Sequence, residues 1–214
     1  MFHNTKVTKK LANKIGRAAD EAIDSYHARL VEQEPQITDR FLAVCQHSIN
    51  RLRIGGVQWS AKTFSDRGNN SQEKRYGADF LCSFSMALPT FSVSKGFLAQ
   101  AKRVEPSDSF SSKDYSDMKE QCEKMLSLSA SSFVFLYSRQ AGVTVIPAIS
   151  VVSARTCNPH ELTSKGVSAF FVDHFECFVG DRNIVIRSPS GVDGLLEELN
   201  ARRGLEIVGH GEES

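Results

Sequence analysis

Apolar residues near the start of the chain recur at helical spacing. Leu11, Ile15, Ala18, Ala22, Tyr26 and Leu30 fall on one stripe with polar residues between them, which predicts a helix within the first 33 residues. Pro35 suits the first turn of a second helix, and Ile37, Phe41 and Cys45 mark its buried side through to Leu52. Ile54-Gly55-Gly56 ends it, and the period then drops to two. Val57, Trp59 and Ala61 alternate with Gln58, Ser60 and Lys62, so 57–64 reads as a strand. The polar run Asp66 to Lys74, with Gly68-Asn69-Asn70-Ser71 inside it, has the chemistry of an exposed loop. Ala78, Phe80, Cys82, Phe84 and Met86 then form one apolar row, and Phe97, Ala99 and Ala101 another, joined by a hairpin around Pro89 to Ser92.

Further on, Ser111 and Asp114 make a capping pair for a helix carrying Tyr115, Met118, Cys122, Met125 and Leu126. Phe133 to Tyr137 and Gly142 to Val152 are dense in aromatic and β-branched residues, as interior strands are, and Pro147 makes the second one bend or lie at an edge. Val167, Phe170, Phe171, His174, Phe175 and Phe178 return to helical spacing. A short strand over Asn183 to Ile186 and an amphipathic helix with Val192, Leu195, Leu196 and Leu199 follow, and the tail after Gly209 reads as disordered. Helical and strand patterns intermixed in this way predict an α/β fold, with a mixed central sheet flanked by helices. The chain divides into an N-terminal helix (1–33), a core (34–153) and a C-terminal, largely helical elaboration of the same domain (154–214).

Composition narrows the class. At 214 residues and 41% hydrophobic content the chain can bury a sizeable core. Its net charge of +1 supplies no global basic field, so charge neither supports nor excludes nucleic acid. Lys6, Lys9, Lys10, Lys14 and Arg17 crowd the start, Arg51 and Arg53 follow the second helix, and Lys74 and Arg75 precede the Asp79 segment; all can contact phosphates, and solvated surface is the simpler account. Cys45, Cys82, Cys122, Cys157 and Cys177 are odd in number and far apart, which indicates neither a disulfide framework nor a zinc site. Most lie in apolar stretches, as core thiols in a reducing cytoplasm would. Neither a signal segment nor a run of membrane-spanning length is apparent, so a cytosolic protein is expected.

The candidate chemistry lies in the hairpin. Residues two apart on a strand share a face, so Gln100 and Lys102 point together, away from Phe97, Ala99 and Ala101. Asp79 stands off the apolar row of its own strand. A register that sets Asp79 opposite Gln100 or Lys102 gathers all three polar heads; a slip by one residue separates them. Oxygens from Asp79 and Gln100 suit a hard cation such as Mg2+, with Mn2+ as a substitute, and a neighbouring ammonium suits phosphodiester hydrolysis. Glu34, in phase with the buried stripe of the second helix, is the candidate for a further acid; Glu32, Asp39 and Glu73 are its rivals. The spacing alone is weak, because Gln72 to Lys74 and Asp117 to Lys119 repeat it. Only Gln100 to Lys102 has a strand context with an acid on the strand before.

An acid on an early helix, Gly77-Ala78-Asp79 opening one strand and Gln100-Ala101-Lys102 closing the next, then a helix and a strand, resembles the core of the PD-(D/E)xK, or restriction-endonuclease-like, nucleases. The resemblance covers roughly Glu32 to Ser138. It implies a restriction-endonuclease-like core and a metal-dependent phosphodiesterase, an endonuclease acting on DNA, in bacterial restriction or antiviral defence. Glu34, Asp79 and Gln100 would hold the metal and Lys102 would assist the attacking water. Glutamine at the second acidic position is similar to Mrr-type enzymes and removes one negative charge. It also leaves room for an alternative: a catalytically inactive subunit of the same fold that binds DNA or a protein.

Other groups are weaker. Gln121 sits at the edge of its helix's buried face and is an auxiliary polar candidate, with helix surface the simpler account. Asp173 and His174 are adjacent on a helix and diverge by about 100°, so they form no dyad. His160-Glu161 lacks a second histidine, and no phosphate-binding glycine loop occurs. Asp114, Asp117 and Glu120 read as a solvated face. The phenylalanine stripe is core first and a protein interface second. Without a sequence-reading motif, target choice would fall to a homodimer or a protein partner.

Overall fold

In the computed structural model, which describes residues 5–65, 77–89, 91–155, 158–186, 195–196, 198–199 and 201–211, the chain order begins with helix α1 (Thr5–His27) and helix α2 (Glu34–Ile49). Strands β1 (Leu52–Ile54), β2 (Val57–Ser65), β3 (Phe80–Leu88) and β4 (Phe91–Arg103) come next, then α3 (Ser112–Leu128), β5 (Ser132–Ser138) and β6 (Gly142–Pro147). Helix α4 (Ala148–Ser153), a 3-10 turn (Pro159–Glu161), β7 (Lys165–Gly166), α5 (Val167–Phe175) and β8 (Arg203–Gly211) complete it. The strands form one mixed eight-stranded sheet in the order β1-β2-β8-β3-β4-β5-β6-β7. The protein is thus α/β, with helices on both faces of the sheet and a helix at its N-terminus.

Each face has its own core. On one, α1, α2 and α5 bury Leu11, Ile15, Phe41, Phe171 and Phe175 against Phe80, Phe84, Phe97, Phe135 and Tyr137 of the sheet. On the other, α3 and α4 bury Met118, Cys122, Met125 and Val151 against Leu81, Leu98, Val134, Leu136 and Ile146. Period-two strands flanked by period-3.6 helices reach this arrangement because each strand must cover both of its faces.

The hairpin forms as expected, with Leu88 beside Phe91 and Phe80 beside Ala99. Strand β4 then runs parallel to β5 through α3, whose first turn is capped by Ser111: its hydroxyl oxygen accepts from the Asp114 amide at 3.1 Å. Three expectations change. The segment 142–152 is half strand and half helix: Pro147, paired with Phe133, is the last residue of β6 and at the same time the N-cap of α4, where its missing N–H costs nothing. Residues 183–186 form no strand; Asp181 makes a single bridge to Gly96. The third concerns the tail after Gly209: residues 209–211 belong to β8, paired antiparallel with β2 and parallel with β3 in the middle of the sheet. Gly204, Gly209 and Gly211 make this strand look like a turn-rich end. Gly209 is needed there, since a Cβ would come within 2.8 Å of the Trp59 ring that lies across it. The expected loop 66–74 and the site rival Glu73 lie outside the described residues.

The phenylalanine stripe is core. Phe170, Phe171 and Phe175 are buried, and His174 is fully enclosed among them, where burial pushes its imidazole down to about 3. Phe178 alone departs from the stripe, 68% exposed beyond the end of α5. Asp173 pairs with Lys165, and a ring nitrogen of His160 meets the Val104 carbonyl at 2.9 Å, so neither enters a catalytic pair. Most of the α1 basic residues face solvent. No helix among the described residues is long and apolar enough to cross a membrane.

Candidate functional site

Of the four residues singled out in the sequence, Asp79 and Gln100 touch at the end of the β3–β4 hairpin, and Glu34 and Lys102 lie near enough for their charges to be felt there. Asp79 precedes β3 and donates its backbone amide to the Ala99 carbonyl at 2.8 Å, which continues the register and sets it beside Gln100. Its Oδ2 accepts from the Ala101 amide at 2.8 Å and from Gln100 Nε2 at 2.5 Å. Gln100 is only 3% exposed and also donates to the Ala101 carbonyl at 3.2 Å, so its amide nitrogen is committed and its oxygen is the remaining acceptor. The apolar row on β3 begins at Phe80 and not at Ala78. Ala78 bridges to Ala201 and joins the α3-side core, because the backbone turns before the strand starts.

Glu34 arrives from the other direction. It is the first residue of α2, and Gln36 Oε1, accepting from the amides of Glu32 and Gln33 at 3.0 Å each, fixes the chain's entry to that helix. Glu34 Oε2 accepts from the Arg103 amide at 2.8 Å, while the Arg103 guanidinium donates to the Glu32 carbonyl. Residues 32–34 are thereby stitched to the end of β4, one residue past Lys102.

The charges of these groups act on one another. Burial pushes the Glu34 carboxyl above its ordinary range, the Lys102 ammonium pulls it back, and the Asp79 charge pushes it up again. Asp79 is likewise raised by burial and lowered by the Ala101 amide and by the charges of Arg202, Arg203 and Lys102. Two half-buried carboxylates thus repel each other beside one lysine. An oxygen donor set of two carboxylates and an amide fits a hard divalent cation that keeps several waters, and such a cation would relieve the repulsion. No group of three or more His, Cys, Asp or Glu disposed to hold a metal ion occurs among the described residues. Any such site therefore depends on Gln100 and water to complete it.

Of Glu34's rivals, Asp39 is 60% exposed and bound by the Arg203 guanidinium through Nε and, at 3.0 Å, Nη2. Glu32 is exposed, and its carbonyl takes Arg103. Gln121 lies half-buried on the turn of α3 that closes over Gly77, where a Cβ would come within 2.9 Å of Lys124 Cβ; its Oε1 is buried and finds no hydrogen-bond partner among the described residues. Cys122, next to it, feels the Lys102 charge.

Two contributors were not legible in advance. Tyr137 is fully buried beneath the site, its hydroxyl 3.1 Å from Thr38 Oγ1, and its ionisation is suppressed by burial and, to a lesser degree, by the charges of Asp79 and Glu34. Arg203 reaches the site because β8 lies against β3. The signal was available in Arg202-Arg203 followed by alternating Leu205 and Ile207, but Gly204, Gly209 and Gly211 obscured it. Neither family models, nor characterised proteins, nor solved structures give a match to this chain.

Proposed function

We propose that the protein is a Mg2+-dependent nuclease that cleaves DNA by hydrolysis, of the restriction-endonuclease-like kind and serving restriction or antiviral defence. What supports this reading is the contact of Asp79 with Gln100 on the hairpin together with the charge effects that link Asp79, Lys102 and the helical Glu34. When bound, a divalent cation would polarise the scissile phosphate and acidify a water. Glu34 and Asp79 would hold it through the carboxylate oxygens not engaged by the Arg103 and Ala101 amides, and Gln100 through its amide oxygen. The Ala101 amide and Gln100 Nε2 keep the Asp79 carboxylate in a single orientation. Lys102 would orient the attacking water and offset charge gathering on the phosphate. Incubating the purified chain with linear, circular and single-stranded DNA in Mg2+ or Mn2+ tests this, with Lys102→Ala alongside. Cleavage that needs metal and fails in the variant is the expected result; no cleavage under any of these conditions rejects the enzyme.

One observation favours a second reading, a nuclease-like subunit that binds DNA or protein without cutting. The Gln100 amide nitrogen already occupies an Asp79 oxygen, and a glutamine brings no charge to draw the cation in. Retention of DNA without cutting would identify this state.

A pH effect distinguishes the site's cation from its protons. A carboxyl whose folded pKa is raised contributes stability that is present below its unfolded pKa and lost as pH rises through the folded one. Glu34 and Asp79 therefore hold protons longer than ordinary carboxyls, and metal must displace them. Activity should fall on the acid side at a higher pH than for ordinary carboxylates. Arg203→Gln removes one of the charges that favour ionised Asp79, so the acid limb of the pH–rate profile moves further towards neutrality. An unshifted limb would show that Arg203 only braces Asp39.

A further inference from the structure

Next to the site, a cavity of about 480 Å3 is lined by Tyr26, Arg29, Glu32, Arg103, Val104, Glu105, Asp108 and Arg139. It shares Arg103, Val104 and Asp108 with a second hollow of about 300 Å3 that begins at Lys102, so the two form one trough leading away from the candidate reaction centre. Three arginines and three acids line the larger cavity, and two of the arginines are held by their neighbours. The Arg139 guanidinium lies 4.0 Å from the centre of the Tyr26 ring and donates to the Tyr26 carbonyl at 3.3 Å. Arg103 lies 6.0 Å from the same ring and donates to the Glu32 carbonyl. Arg29 follows α1 with φ of 57°, its amide turned back to the Tyr26 carbonyl at 3.2 Å. The Tyr26 and Glu32 carbonyls thus hold Arg139 and Arg103, Arg29 is fixed through its backbone with its side chain exposed, and among the described residues most of the side-chain N–H groups of the three stay unspent.

Of the three acids lining the same cavity, Glu32 is exposed and engages the site through its backbone carbonyl, while Glu105 and Asp108 are occupied with the loop beside them. Glu105 accepts from the Ser138 hydroxyl at 2.6 Å, the Arg139 amide at 2.8 Å and the Gln140 amide at 3.1 Å, and Asp108 Oδ2 accepts from the Glu105 amide at 2.9 Å. The lone pairs of Glu105 and Asp108 face the loop, whereas Arg103 and Arg139 each give one side-chain donor to a backbone carbonyl and, among the described residues, keep the others. Planar guanidiniums with donors to spare match phosphate oxygens, and Arg103 and Arg139, already held, lose less entropy on binding them.

We propose that the cavity walled by Arg29, Arg103 and Arg139 binds the phosphodiester backbone of the nucleic-acid strand on one side of the scissile phosphate, guiding it from Lys102 across Arg103. This rests on the nuclease reading for its direction, yet binding can be tested without catalysis. Fluorescence anisotropy with a labelled DNA duplex and its single strand, in chelator so that nothing is cut, would compare wild type, Arg29→Gln, the double variant Arg29→Gln/Arg139→Gln, and Lys9→Gln/Lys10→Gln on exposed α1 as a control. The double variant is expected to bind about tenfold more weakly or worse, with a plot of log affinity against log salt shallower by about 1 to 2, while the control changes little. Arg29→Gln, at an exposed position, should show part of the same loss even if the Arg139 change disturbs packing over Tyr26.

Double-variant binding equal to wild type in affinity and salt slope overturns the cavity assignment, and so does a wild type that binds neither DNA. Cleavage in Mg2+, scored separately, keeps the two readings apart. Cutting with unaltered variant binding leaves the nuclease without this subsite; variant-sensitive binding without cutting leaves the subsite on an inactive protein.

Discussion

Asp79→Ala should reduce metal-dependent strand cleavage by at least about a thousandfold, equivalent to roughly 4 kcal/mol of lost transition-state stabilisation. The carboxylate is placed by two donors, the Ala101 amide at 2.8 Å and Gln100 Nε2 at 2.5 Å, and its charge is opposed by burial. This combination separates a reactive group from a structural one. If Asp79 and Lys102 were only an ion pair at a strand end, neutralising the acid would destabilise the fold. If the acid is kept charged for a cation at a cost, Asp79→Asn, which can keep an acceptor for both donors, should melt at or above the wild-type temperature in chelator at pH 7. Millimolar Mn2+ should then raise the melting temperature of the wild type and not of this variant. A variant that melts well below wild type in chelator, or cuts DNA at the wild-type rate, would contradict the assignment.

Phe97→Ala should cost about 3–5 kcal/mol of folding stability, the range for deleting a buried phenylalanine, which corresponds to a drop in melting temperature on the order of 10 °C for a chain of this size. Phe97 is the hub of the larger core. Its ring centre lies 5.1 Å from those of both Phe170 and His174, 5.9 Å from Phe133 and Phe171, 6.2 Å from Phe135 and 6.3 Å from Phe80. It thereby couples β3, β4 and β5 to α5. Backbone immediately before it is equally confined, since a Cβ on Gly96 would come within 2.3 Å of the Cys82 carbonyl oxygen. Neighbouring rings cannot follow the lost side chain without leaving their own contacts, so a cavity remains. Denaturant titration gives the measurement, and Phe178→Ser, at the exposed end of the same sequence stripe, should change stability by no more than about 0.5 kcal/mol. Similar losses at both positions would mean that Phe178 packs as the others do.

Helix and strand periods were legible where one face of an element is buried. The alternation in 57–64, the apolar row from Phe80 to Met86 and the stripe Tyr115, Met118, Cys122, Met125 each correspond to an element with those residues inside. Legibility failed where backbone requirements overrode pattern. Pro147 turned an apolar run from strand to helix, and the glycines of β8 hid a strand whose neighbours need the space a side chain would fill. The site followed the same division. Asp79, Gln100 and Lys102 could be grouped because strand alternation and a short hairpin bring residues of nearby sequence together.

What the chain by itself determined was local: which faces of its helices and strands are apolar, where the hairpin closes, and that an aspartate, a glutamine and a lysine share one side of it. Tertiary structure decided which distant partners join them. Glu34, and not Asp39, meets Lys102 because the Arg103 amide takes its carboxylate while Arg203 claims Asp39. Arg203 arrives there only because β8, more than a hundred residues after Asp79 in sequence, inserts beside β3. Long-range strand order is set by how two apolar faces are jointly covered, a condition on the whole molecule that no short window of sequence contains.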